Sequence, residues 1–96
     1  MLNEEEKINL LSWVLRSRYR NKILRVLSEE GREKVCTPSY IVKKADLKFQ
    51  HASNSLILLD EKGLVNCLNR DQIKGRLYRI TEKGLDVLKE INELGE

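Results

Sequence analysis

The segment Leu59–Gly84, LDEKGLVNCLNRDQIKGRLYRITEKG, decides how the rest of the chain is read. It opens as the end of a helix. Gly63 is a natural stop for it, because a residue without a Cβ enters the left-handed cap region at little steric cost. Leu64–Leu68 then reads as a short apolar strand and Leu77–Ile80 as its partner. The intervening loop, Asn69–Gly75, carries Arg70 and Lys74, with Arg76 just beyond, and Thr81 supplies an N-cap for another helix. Strand alternation places Tyr78 and Ile80 on one face, directed inward. The segment is thus a helix end, a hairpin with a basic tip, and a helix start.

Two helices precede it. Thr37–Pro38 is a strong start, since Thr caps and Pro occupies the first helical position, where an N–H would lack a partner anyway. The first of the pair covers about Pro38–Ala45, with Tyr40, Ile41 and Ala45 as its packing face. A turn through Asp46, Leu47 and Lys48 leads into the second, residues 49–62. At about 100° per residue, Phe49, Ala52, Leu56 and Leu59 form a core stripe with Ser55 beside it. Gln50, Asn54 and Ile57 fall on the opposite face, flanked by His51, Ser53 and Leu58.

The remaining elements are helical. Asn3 followed by Glu4, Glu5 and Glu6 pairs a capping side chain with negative charge at the positive end of the helix dipole. This helix runs to about Arg16, with Ile8, Leu11 and Leu15 on one stripe and Leu10, Trp13 and Val14 widening it. Residues 18–30 form a further helix with Tyr19, Ile23, Val26 and Leu27 inward. Ser17 is a potential break between the two; one bent helix is the alternative. Gly31 ends the segment, and Val35–Cys36 is a candidate first strand. The last helix, from Glu82 to about Leu94, presents Leu85, Leu88, Ile91 and Leu94.

Ninety-six residues suffice for one domain with one core. The net charge is only +3, but it is unevenly placed. Residues 16–79 hold fifteen Lys or Arg against seven acids, whereas both ends of the chain are acidic. A central concentration of cations is what polyanion binding requires. Cys36 and Cys67 lack the spacing of a zinc site. On the outer strands of a three-stranded sheet they would stand roughly 9–10 Å apart, beyond disulfide reach. They read as small buried hydrophobes in a reducing compartment. His51 has no companions with which to bind metal or act as a base. No nucleophile–base pair, phosphate loop or metal cluster points to an enzyme or a cofactor. The acidic start is unlike a secretory signal, and no run is long enough to cross a membrane, so a cytoplasmic location is expected.

This order of elements resembles small archaeal winged helix-turn-helix transcriptional regulators, related broadly to the MarR- and ArsR-like families. Three stretches carry the resemblance: RSRYRNKILRVLSE from Arg16, TPSYIVKKADLKFQHASNSLILLDEKGLV from Thr37, and NCLNRDQIKGRLYRITEKG from Asn66. It implies a mostly helical α+β fold, a winged helix-turn-helix with a small antiparallel sheet and extra helices at both ends. Within the single domain, 1–16 would be the N-terminal helix, 17–81 the winged-helix core and 82–96 the C-terminal helix. The resemblance implies double-stranded DNA as partner, with helix 49–62 in the major groove and the basic wing, 69–76, on the backbone or in the minor groove. It suggests recognition-helix contacts at Lys48, Gln50, His51, Ser53 and Asn54. It also suggests wing contacts at Arg70, Lys74 and Arg76, and backbone anchoring near Thr37 and Ser39. Asp46 stands where such turns often carry Gly, and Asn54 where relatives often carry Arg. Without an Arg to grip guanine, readout tilts toward A·T steps, with Asn54 or Gln50 on adenine and Ile57 near a thymine methyl.

The apolar stripes of the terminal helices exceed what a minimal core of this kind needs. A two-fold dimer through Ile8, Leu11, Leu15, Leu88, Ile91 and Leu94 is therefore expected, holding two recognition helices about one DNA turn apart, ~34 Å. The leading reading is a homodimeric, sequence-specific DNA-binding regulator. A winged-helix protein-interaction module in a larger assembly is the alternative, favoured by Ile57 and Leu58 on an Arg-free helix. A non-specific architectural DNA binder is a third, disfavoured by the modest net charge.

Overall fold

The computed structural model describes residues 3–95; Met1, Leu2 and Glu96, which belong to the terminal segments, lie outside them. The order is α1 (Glu4–Leu15), α2 (Arg18–Glu30), α3 (Pro38–Ala45), α4 (Phe49–Glu61), β1 (Val65–Cys67), β2 (Tyr78–Ile80) and α5 (Glu82–Glu93). This is a mostly helical α+β winged helix-turn-helix.

Local chemistry sets the boundaries. Asn3 Oδ1 accepts the Glu6 amide at 2.8 Å, and Thr37 and Thr81 hydroxyls accept the amides of Tyr40 and Gly84. Ser17 is a true break: extended in backbone, it caps α2 by accepting from the Arg20 amide. Arg20 then ties the two helices together. Its guanidinium lies 3.9 Å from the centre of the Trp13 ring and donates to the Trp13 carbonyl at 2.7 Å.

β1 and β2 pair antiparallel, Val65 opposite Ile80 and Cys67 opposite Tyr78. The expected first strand shrinks to a single bridge, in which Cys36 and Tyr78 exchange both backbone bonds at 2.7 and 2.9 Å. Tyr78 therefore separates the two cysteines, which are both buried and free. Tyr78 and Ile80 face inward together.

The core joins Val14 of α1, Ile23, Leu24 and Leu27 of α2, Ile41 of α3, Leu56 and Leu59 of α4, the inner face of the sheet, and Val87, Leu88 and Ile91 of α5. Burying each such aliphatic side chain contributes about 1.5–3 kcal/mol. Phe49 does not join it and is 55% exposed. The stripe that buries is centred between Ala52 and Leu59, and Phe49 lies about 70° from that centre. The terminal-helix set also divides. Leu88 and Ile91, expected at an interface between copies, are buried within the chain itself. Leu11 is half-buried, and Ile8, Leu15 and Leu94 remain exposed. The reason is that α5 packs against both α1 and α2, which takes up the inner half of its stripe.

The wing is held at its base. Gly63, with φ of 77°, turns the chain out of α4, and the Leu64 amide donates back to the Leu59 carbonyl at 3.0 Å. Thr81 closes the other side, its amide donating to Leu64 O at 3.1 Å and its hydroxyl to Gly63 O at 2.7 Å. Gly84, in the first turn of α5, rests directly against the Leu64 carbonyl. Further out, Arg70 grips Asp60 of α4 with two hydrogen bonds, Nε to Oδ2 at 2.8 Å and Nη2 to Oδ1 at 2.7 Å.

Two expectations follow. A Cβ on Gly84 would collide with Leu64 O and press Ile80 Cγ1 at 2.8 Å. Gly84→Ala should therefore cost about 1–3 kcal/mol, seen as a lower urea midpoint at unchanged slope. The Arg70 hydrogen bonds are the main cause holding the Asp60 carboxyl below its ordinary 3.8, against burial, which pushes it up. A depressed carboxyl stabilises the fold above 3.8 and loses that contribution as pH falls through the lower folded value. Arg70→Ala should flatten the acid side of a stability-against-pH curve while leaving the rest of its shape unchanged.

Candidate nucleic-acid interface

Lys43 and Lys44 occupy the last turn of α3, where cations complement the dipole. Asp46 then ends α3 in the left-handed region, φ 55°, ψ 56°. Asp is one of the few residues with a Cβ that adopt this conformation readily, so the turn forms without the more common Gly. Lys48 follows as the extended residue before α4 and makes no side-chain cap, leaving its ammonium at the surface.

Helix α4 sends Ala52, Ser55, Leu56 and Leu59 into the core. Its outward face presents Gln50, His51 and Asn54 exposed, with Ser53 half-buried. Ile57 stands on the same side, 42% exposed. His51 is not simply solvated: its ring stacks on Tyr19 of α2, centroids 4.6 Å apart and planes 6° from parallel. Tyr19, expected inside, is half-buried because it covers that ring.

A groove of about 710 Å³ runs between this helix and the wing. Phe49, Ser53 and Ile57, one turn apart, form one wall, and Ile73–Arg76 with Tyr78 form the other. Thr37, Pro38 and Ser39, at the start of α3, close the end. The structure thus brings Thr37, Ser39, Ser53, Lys74 and Arg76 to one groove. Gln50, His51 and Asn54 stand outside its lining, as does Lys48. Phe49 is the lining residue that helical periodicity misplaced. Its position at the rim of the core stripe was the available signal.

The wing cations have unequal roles. Arg70 is engaged with Asp60, as above, and also approaches Asn66 Oδ1 at 3.4 Å. Arg76 turns back into its own loop, donating from Nε to Gln72 O at 2.7 Å and from Nη2 to Arg70 O at 3.1 Å. The Tyr78 hydroxyl is the chief cause holding its guanidinium above the ordinary value. Asn69 completes the closure, accepting the Leu77 amide at 2.8 Å and donating to Gly75 O at 3.1 Å. Lys74 is exposed and has no partner among the described residues. None of these loop contacts had a local signature in the sequence; Asp60 and Arg70 meet only because the hairpin folds back over the end of α4.

Among the described residues no group of three or more His, Cys, Asp or Glu is gathered to hold a metal ion. No helix among them is long and apolar enough to cross a membrane.

Comparison with solved structures places this architecture beside two proteins. One is NadR, solved in complex with 4-hydroxyphenylacetate, at a TM-score of 0.66 and 21% identity over 93% of this chain. The present chain spans 64% of that protein's length. The other is an ArsR family transcriptional regulator, at a TM-score of 0.61 and 21% identity, covering 98% of this chain and 95% of that one. At this identity the likeness is one of fold. No curated protein matches. A family model described as winged helix-turn-helix matches residues 15–96, and the chain belongs to that family.

Proposed function

We propose that the protein is a transcriptional regulator that binds double-stranded DNA sequence-specifically as a homodimer in the cytoplasm. The observation that carries this reading is the outward face of α4. Its N-terminal half offers Gln50, His51 and Asn54 to solvent, beside a groove bounded by Lys74 and the hydroxyls of Thr37, Ser39 and Ser53. Donors and acceptors at the start of a recognition helix are what base edges pair with, while flanking cations and hydroxyls suit phosphates.

From Phe49 to Glu61 the helix has no Arg or Lys. Bidentate guanine recognition is therefore unavailable along it, and Asn54 or Gln50 on adenine, with Ile57 against a thymine methyl, favours A·T-rich half-sites. Lys48 and Lys74 supply phosphate contacts, Arg70 and Arg76 add field while they shape the wing. Dimerisation would use the part of the terminal helices that the chain leaves uncovered: Ile8, Leu15 and Leu94, with the half-buried Leu11.

The exposed apolar pair Phe49 and Ile57 favours a second reading, a protein-interaction module that would use the same groove. Selection from a random duplex pool at two salt concentrations separates the two. An enriched palindrome supports the regulator; no binding even at low salt supports the module. On the selected site, Lys74→Ala should weaken binding evenly across sequences and reduce the salt slope by about 1. Asn54→Ala should cost about 1–3 kcal/mol and relax preference at one base pair per half-site. The double substitution Ile8→Glu, Leu15→Glu should convert a dimer to a monomer in sedimentation while leaving the circular dichroism unchanged. A wild-type chain already monomeric at micromolar concentration would sink the dimer.

A further inference from the structure

The tip of the wing is apolar. Ile73 is 90% exposed, well above Leu94 at 66% or any other large hydrophobic side chain among the described residues. Single exposed hydrophobics are common and need no explanation on their own. This one differs in how it is held and what surrounds it. The loop beneath it is closed by Asn69, which bonds across to Gly75 and Leu77, and by Arg76, which bonds to the carbonyls of Arg70 and Gln72. Arg70 then fastens that loop to Asp60 of α4. Three side chains of a surface hairpin, those of Asn69, Arg70 and Arg76, are thus committed to presenting a tip that is itself exposed.

The arrangement also decides which side chains can lead into a groove. Arg70 and Arg76, which would otherwise be the natural minor-groove probes, are directed into the loop and onto α4. Ile73 and Lys74 remain at the rim, across the groove from Phe49 and Ile57. An apolar side chain on a rigid support, with an ammonium beside it for the flanking phosphate, is the combination that enters a minor groove and partly unstacks a base step.

Resting on the reading of the protein as a DNA binder, we propose that Ile73 is a minor-groove wedge and that the protein bends the DNA it binds. Lys74 positions the tip on the backbone, and Ile73 enters at a flexible pyrimidine–purine step, TA or CA/TG, where unstacking costs least. The wing would then select sequence by deformability at positions adjoining the half-site that α4 reads.

The test uses the full chain and a duplex of about 30 base pairs. The duplex holds the selected site and carries a donor and an acceptor dye at its ends. Binding of the wild-type protein should shorten the end-to-end distance by the amount expected of a kink of 20° or more. Ile73→Ala should lose most of that change, Ile73→Leu should keep it, and both should melt as the wild type does. Replacing the flanking TA step by a stiff A-tract should weaken wild-type binding more than that of Ile73→Ala. A wild-type complex as straight as free DNA, or an Ala variant that bends it equally, would overturn the wedge while leaving the regulator intact. No salt-sensitive binding by the wild type would overturn the regulator reading and the wedge with it.

Discussion

Everything beyond α4 depends on one close approach, that of Gly84 to the Leu64 carbonyl. At this point the chain leaving α4 and the chain entering α5 lie backbone against backbone, with Thr81 bonding to Gly63 and Leu64. No side chain fits between them. The contact sets both ends of the hairpin at once: β1 begins where the Leu64 carbonyl is held, and β2 ends where Thr81 holds it. The wing then has one direction available relative to α4. A groove of defined width follows from that constraint rather than from the groove's own lining.

The second organising feature is the use of charge for order. A basic hairpin tip suggests cations waiting for phosphate, yet two of the three wing cations complete the loop. Hydrogen bonds from a guanidinium to carbonyls or to a carboxylate are strong and directional, and the connection from Cys67 to Tyr78, without a core of its own, has few other sources of rigidity. Lys, with a flexible stem and a compact charge, is poorly suited to that task and remains outside. The division between Arg and Lys in this wing therefore has a physical basis, and it leaves an apolar residue foremost.

The terminal helices divide similarly. Their combined apolar surface is larger than one face requires, and periodicity alone could not say which positions meet the chain's own core. Packing of α5 between α1 and α2 buries Val87, Leu88 and Ile91, and Val14 answers from α1. Ile8, Leu15 and Leu94 lie on the far side. An interface between copies would then be smaller, and more sensitive to a single charge, than the full stripes imply.

The elements themselves were legible in the sequence because their signals are local. Caps at Asn3, Thr37 and Thr81, the glycine stop at Gly63, the helical stripe of α4 and the strand alternation at Tyr78 and Ile80 each involve residues a few positions apart. The separation of Cys36 from Cys67 by a middle strand follows from the resemblance to a winged-helix sheet. The outward face of α4 was legible too, except at Phe49, where the rim of a stripe lies too near the boundary for an angle to decide. The pairing of Arg70 with Asp60, the folding of Arg76 into its loop, the stacking of His51 on Tyr19 and the division of the terminal stripes were decided only in three dimensions. Arg76 bonds to backbone carbonyls four and six residues away, which carry no residue-specific signal; the others join groups on different elements, so their meeting depends on where packing places those elements.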